Sequence, residues 1–150
     1  MAMETTATRA EDSKRARRER RREELLDGAD RVIQRRGVAV SMDEIASEAG
    51  ITKPVLYRHF GDKDGLYQAL TERYVDGLKT ALKPATKASE PRDRLAAVID
   101  AYLAYVEREP ERYRFLLHAS ERPRTAGIVA DFRRRHIAEC AFTAEDNLRR

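Results

Sequence analysis

Residues 41–66, SMDEIASEAGITKPVLYRHFGDKDGL, crowd a helix start, a helix stop, a second start and a third into one short stretch. Ser41 and Glu44 stand in S-x-x-E spacing, in which the hydroxyl caps one orphan amide and the carboxylate reaches back to another. A helix is therefore predicted from Met42. Met42, Ile45, Ala46 and Ala49 recur at i, i+3, i+4 and i+7, and Gly50 suits the left-handed backbone that ends a helix. Thr52 is a second cap candidate and Pro54 falls in the first turn, where a missing amide hydrogen costs little, so the next helix spans about residues 53–60. At about 100° per residue, Leu56 and Phe60 share one face of it, Pro54, Val55 and Arg58 take the opposite face, and Tyr57 and His59 flank. A helix this short does not hold itself up in water. A basic and apolar outer face makes sense if it is inserted into something, and in helix-turn-helix geometry the second helix enters the DNA major groove.

The flanking sequence supplies the support. Leu25, Ala29, Val32 and Ile33 keep helical spacing before Gly37, which gives a first helix from about Ser13 or Arg20 to Arg36 behind the other two. Residues 1–12 carry little apolar content and are expected to be mobile, so residues 1–19 read as a flexible basic arm. The net charge of +4 is unevenly placed, because SKRARRERRR at 13–22 alone carries +6. Beside a DNA-reading unit, that run can lay Arg21 and Arg22 on phosphates or send an arm into the minor groove.

Downstream, Asp62 caps and Asp64 suits the first turn of a long fourth helix, whose stripe is Leu66, Leu70, Tyr74, Leu78 and Leu82, widened by Tyr67 and Val75. KPATKASEPR at 83–92 reads as a loop and domain boundary. A helix over 93–108 carries Leu95, Val98, Ile99, Tyr102, Leu103, Tyr105 and Val106, too wide a stripe for one buried side, so it is expected to be covered on several. Pro110 opens a helix to about residue 118, SERPRTAG at 120–127 is a break, and a last helix follows. The fold class is all-α: a three-helix DNA-binding domain (20–66), a connecting helix (67–83) and a helical ligand-binding and dimerisation domain (84–150).

The run AGITKPVLYRHFGDKDGL, Ala49 to Leu66, with Leu25, Leu26, Ala29, Ile33 and Gly37 upstream, resembles the TetR family of bacterial transcription regulators over roughly a third of the chain. The most specific element is LYRHF followed by a lysine two residues after the next glycine. The resemblance implies a double-stranded DNA operator as partner, a homodimer and a small-molecule effector. It also implies two further long helices after the last one read here, so either the domain is C-terminally incomplete, as it looks, or its final helix itself serves in dimerisation. Pro54 and Gly65 depart from the commoner family residues, which bears on the operator's sequence rather than on the mode of binding.

The DNA-contacting set then differs in kind by position. Arg58 and Lys53 donate to base edges or phosphates, Val55 and Pro54 meet a thymine methyl, and Tyr57 and His59 position the protein on the backbone. Ser41 and Thr52 stand at helix N-termini, where amides favour phosphate oxygens. Lys63 touches a phosphate if the family pattern holds. Tyr102, Tyr105, Tyr113, Phe115, His118, Phe132 and Cys140 have spacings that allow them to line one cavity, and none dictates a charged ligand, so an apolar or aromatic effector is expected. Two recognition helices about 34 Å apart on successive grooves, drawn off by a ligand that prefers another spacing with the fourth helix transmitting the change, is the mechanism this implies.

Other classes find less support. His59, His118 and His136 are too dispersed for a local metal motif, and no nucleophile-elbow, zinc-protease, dinucleotide or P-loop pattern occurs, so neither enzyme, metal nor cofactor is expected. One cysteine forms no internal disulfide, the N-terminus is charged, and no apolar run spans a bilayer, which together read as cytoplasmic. The competing readings are a helical ligand-binding or interaction module without operator specificity, and non-specific DNA binding through the basic arm.

Overall fold

The computed structural model describes residues 2–148, and the side chains of residues 9–136. Its elements are seven α-helices, α1 (Ala2–Arg36), α2 (Met42–Glu48), α3 (Lys53–Phe60), α4 (Lys63–Leu82), α5 (Pro91–Arg108), α6 (Pro110–Ala119) and α7 (Pro123–Leu148), with one short 3-10 turn (Ala85–Lys87). They form two compact units that divide between Gly61 and Asp62, ahead of α4 rather than at the proline-bearing loop of 83–92.

In the first unit α1 packs on α2 and α2 on α3. Leu25, Leu26, Ala29, Val32 and Ile33 of α1, Val40, Met42, Ile45 and Ala46 around α2, and Leu56 and Phe60 of α3 are its buried side chains. The Ser41 hydroxyl accepts from the Glu44 amide at 3.2 Å and Glu44 accepts from the Ser41 amide at 2.8 Å, completing the box that the spacing predicts. Gly50, at φ +64°, closes α2: its amide reaches Ser47 O at 3.1 Å and that of Ile51 reaches Ala46 O at 3.0 Å, a Schellman turn. Salt bridges from Arg31 and Arg35 to Glu48, and from Arg36 to Glu44, fasten α1 to α2 along their exposed edge.

The first helix is longer than its apolar pattern predicts, because α1 is already helical at Ala2 and includes the stretch read as a mobile arm. The reason is propensity: no glycine or proline precedes Gly28, and Ala, Arg, Lys and Glu dominate. Lacking an apolar stripe, this half gave no periodic signal.

In the second unit α4 packs against α5, α6 and α7. Its predicted stripe is buried, together with Ala69 and Thr71, whose hydroxyl donates to Tyr67 O at 2.7 Å. Phe115 of α6 lies between the rings of Tyr67 and Tyr74, at centroid distances of 5.0 and 5.2 Å. The break after α6 is shorter than SERPRTAG suggests, since α7 begins at Pro123 and the buried Thr125 hydroxyl donates to Ala119 O at 2.6 Å. The expectation that α5 is covered on several sides is corrected: only Pro91 and Tyr105 are buried, while Ile99 and Leu103 are 50% and 53% exposed. A wide apolar stripe marks burial only when neighbours exist for every part of it, and here part of it borders a cavity.

Candidate nucleic-acid interface

α3 is held from one side. Leu56 is fully buried and Phe60 nearly so, while Thr52, Pro54 and Arg58 are exposed and Lys53, Val55, Tyr57 and His59 are partly exposed. The two-faced helix read from the sequence is thus the helix that forms, with Pro54, Val55 and Arg58 opposite its buried side and Tyr57 and His59 flanking, while Lys53 lies nearer the buried side. Thr52 occupies the cap position but its hydroxyl makes no cap bond, contrary to expectation. Pro54 removes one candidate amide, and the next, that of Val55, goes to the Thr52 carbonyl at 3.1 Å. Ser41, by contrast, has its hydroxyl committed to Glu44.

Lys53 is tied to Asp43 of α2 at 2.8 Å, and that hydrogen bond raises its pKa. Arg58 has no carboxylate partner among the described residues. His59 is pushed below the usual imidazole range by partial burial and by Arg18, Arg21, Arg58 and Arg22 around it. Arg21 bonds Glu24 at 2.8 Å, and the Arg22 guanidinium stacks over the Phe60 ring at 5.2 Å, so Arg22 also covers the end of the α3 anchor. Lys63 falls in the second unit, exposed at the start of α4, with its ammonium 5.6 Å from the Tyr67 ring centre. From the basic run at 13–22, Lys14, Arg17, Arg18 and Arg21, spaced i, i+3, i+4 and i+7, line one cleft with Arg58 and His59.

The second unit holds an apolar cavity of about 250 Å3. Tyr102, Tyr113 and Phe132 line it, as the sequence reading proposed. Tyr105, Phe115 and His118 do not. Tyr105 is buried with its hydroxyl near Gly77 of α4, Phe115 is locked between two tyrosines, and His118 faces solvent. Cys140 lies outside the described side chains. The walls that were missed are mainly aliphatic: Val75 and Leu78 of α4, Val98, Ile99 and Leu103 of α5, and Leu116 of α6. The polar features are few. Tyr102 donates to the Tyr113 hydroxyl at 2.8 Å, and burial followed by that bond pushes the Tyr102 phenol above its ordinary pKa. Arg133 and His136 border the space, and His136 Nδ1 donates to Phe132 O at 3.1 Å.

A short helix, its apolar side anchored and its other side exposed, set across a turn from a second helix, defines a helix-turn-helix DNA-binding protein. The comparisons narrow that class. Residues 25–70 match the family described as bacterial regulatory proteins, tetR family, and residues 77–140 match a tetracyclin repressor-like C-terminal domain. The chain is 41% identical over 101 residues to the HTH-type transcriptional activator FasR of Mycolicibacterium smegmatis, covering 66% of this chain and 46% of that one. It is 31% identical over 131 residues to the HTH-type transcriptional regulator BetI of Brucella anthropi, covering 83% and 68%. A TetR-like transcriptional regulator from Rhodococcus sp. RHA1 superimposes with a TM-score of 0.72 at 32% identity, over 83% of this chain and 69% of that one. The chain belongs to the TetR family of transcription regulators, which are DNA-binding proteins and not enzymes. It spans about half the length of the first of these relatives. Among the described residues no helix is long and apolar enough to cross a membrane.

Proposed function

We propose that this chain is a ligand-responsive, sequence-specific regulator that binds a palindromic operator as a homodimer in the cytoplasm and is released by a small, largely apolar molecule. The observation that carries the DNA half is the division of α3 into a buried face of Leu56 and Phe60 and an opposite face of Pro54, Val55 and Arg58, flanked by Tyr57 and His59. On this reading Arg58 and Lys53 read bases or phosphates, Pro54 and Val55 meet thymine methyls, Tyr57, His59, Arg21, Arg22 and Lys63 hold the backbone, and the helix N-termini at Ser41 and Thr52 offer amides to phosphate oxygens.

The effector half rests on the apolar cavity, which at about 250 Å3 lies at the small end of ligand pockets, roughly 300–1,000 Å3. A ligand there presses on α4 through Val75 and Leu78 and on α7 through Val129 and Phe132. Arg124 of α7 bonds Asp62 at 3.0 Å, and Arg122 pairs with Asp64. Those two aspartates start α4, and Gly61 alone separates Asp62 from the end of α3. Strain at the cavity thus has a chemical route to the residue beside the recognition helix, and a population shift needs only that the ligand favour one arrangement of it.

The test is binding of the chain to its own promoter DNA against scrambled duplex, across salt, with molar mass recorded on the same sample. A preference of about a thousandfold for one palindromic site, bound as a dimer, is expected. Equal, steeply salt-dependent binding by a monomer overturns the proposal in favour of purely electrostatic attachment. Unchanged binding after neutralising Lys53, Tyr57 and Arg58 together would point to a helical module that does not read DNA. A ligand that tightens binding would make the chain a co-repressed or activating regulator.

A further inference from the structure

α4 and α7 border two neighbouring spaces of opposite character. Beside the apolar cavity of about 250 Å3 lies an open groove of about 510 Å3, bounded by Lys79, Lys83, Thr86 and Arg135, and the two share Leu82 and His136 as a common wall. The groove's one carboxylate among the described residues, Asp76, bonds Lys79 at 3.2 Å. Lys83 and Arg135 are left without an acidic partner among those residues. Arg133, which borders the cavity, is likewise unmatched among them, although Arg134 between the two arginines pairs with Asp131. The Thr80 and Thr86 hydroxyls are occupied, donating to the carbonyls of Asp76 and Lys83. Lysines at the end of α4 suit its dipole, but that reason does not extend to arginines in the interior of α7.

We infer that cavity and groove form one site for a phosphorylated amphiphile, with its apolar tail among Val75, Leu78, Val98 and Leu116 and its phosphate at Lys83 and Arg135. The inference rests on the reading of the cavity as an effector site, and adds the chemistry of the head group and the residues that hold it. The tail gains by leaving water, whereas a charge buried among hydrocarbon walls is costly, so a head group belongs in the open groove across Leu82 and His136. A wholly apolar occupant of the cavity leaves Lys83 and Arg135 to water. Phosphate suits the groove better than carboxylate because its cations come from two elements and are spread along it. A phosphate monoester brings about −1.5 to −2 charge near neutral pH and three acceptor oxygens, enough for several cations at once.

The experiment is calorimetric titration of the full chain with octyl phosphate, octanoate, octanol and inorganic phosphate, at low and high salt. It compares wild type, a double variant (Lys83→Gln, Arg135→Gln) and Leu103→Asn in the cavity wall. Lys83, Arg135 and Leu103 are exposed, so the fold should persist, which circular dichroism checks. Octyl phosphate should bind about tenfold tighter than octanol and tighter than octanoate, with an advantage that shrinks as salt rises. Inorganic phosphate alone should bind weakly. The double variant should remove most of that advantage and leave octanol unchanged, and Leu103→Asn should weaken octyl phosphate and octanol alike. Octanol binding as tightly as octyl phosphate, or an advantage that survives in the double variant, overturns the head-group site. Octanoate equal to octyl phosphate overturns the assignment to phosphate, and tailed probes indifferent to Leu103→Asn overturn the place of the tail. Failure of the underlying effector reading looks different: none of the three tailed probes would then bind.

Discussion

Leu56→Ala is the sharpest test of how the recognition helix is held. α3 has eight residues and two buried anchors, and Leu56 is the one fully shielded from water. Removing three carbons there loses about 2.4 kcal/mol of transfer free energy plus a cavity term, for a total of about 3–4 kcal/mol. A unit of about 60 residues has only roughly 3–9 kcal/mol of stability to lose. The variant should therefore lose most of its DNA binding at 25 °C even though Leu56 touches no base, while the second unit stays folded. Hydrogen exchange on the full chain separates the two: amides of α2 and α3 lose protection and those of α4 to α6 keep it. Pro54→Ala, on the outer face, is the control that leaves protection unchanged. If Leu56→Ala retained both wild-type protection in α3 and wild-type affinity, the division of α3 into a holding face and a reading face would be wrong.

Three further outcomes follow from named contacts. Asp43→Asn removes the carboxylate that occupies Lys53 and should tighten DNA binding by roughly two- to fivefold; unchanged or weaker binding in anisotropy would mean that Lys53 does not reach DNA. Gly28→Ala should raise the thermal midpoint by a few degrees, because the new Cβ meets Ala49 Cβ at an ordinary 3.5 Å and alanine outperforms glycine in a helix interior by about 1 kcal/mol; a lower midpoint would show that α1 and α2 approach more closely than this. Glu48 is held below its usual pKa by hydrogen bonds from Arg35 and then Arg31. Its contribution to stability is therefore present above the unfolded value near 4.5 and lost as pH falls through the lower folded value, so Glu48→Gln should flatten the acid side of a melting-temperature profile.

The first unit was legible because its signals are local. A capping box needs residues three apart, a Schellman glycine needs the residue after a stripe, and a two-faced helix needs only the 100° step per residue, which brings Leu56 and Phe60 within about 40° of each other. The second unit's helices were legible for the same reason, but its cavity was not. Phe115 and Tyr105 look like pocket residues by type, yet each is used up in packing, whereas Ile99 and Leu103 look like core and stand at the cavity instead. Nothing in a linear pattern distinguishes a buried aliphatic stripe from one that faces a space. The bonds of Arg122 and Arg124 to Asp64 and Asp62 were equally hidden, since they join residues 58 and 62 positions apart.

The arginines of α1 show what the structure adds to a charge run. In sequence the helix carries one kind of residue repeated; in space it carries two kinds of site. Toward its C-terminal end, Arg31, Arg35 and Arg36 are answered by Glu48 and Glu44, and those glutamates belong to the helix on which α1 packs. These pairs are exposed, so each is worth little, and their value lies in fixing the rotation of α2 about its own axis. Earlier on the helix, Lys14, Arg17 and Arg18 face a cleft without carboxylates beside Arg58 and His59. Arg58 and His59 of α3 and the basic side chains of α1 therefore meet at one surface.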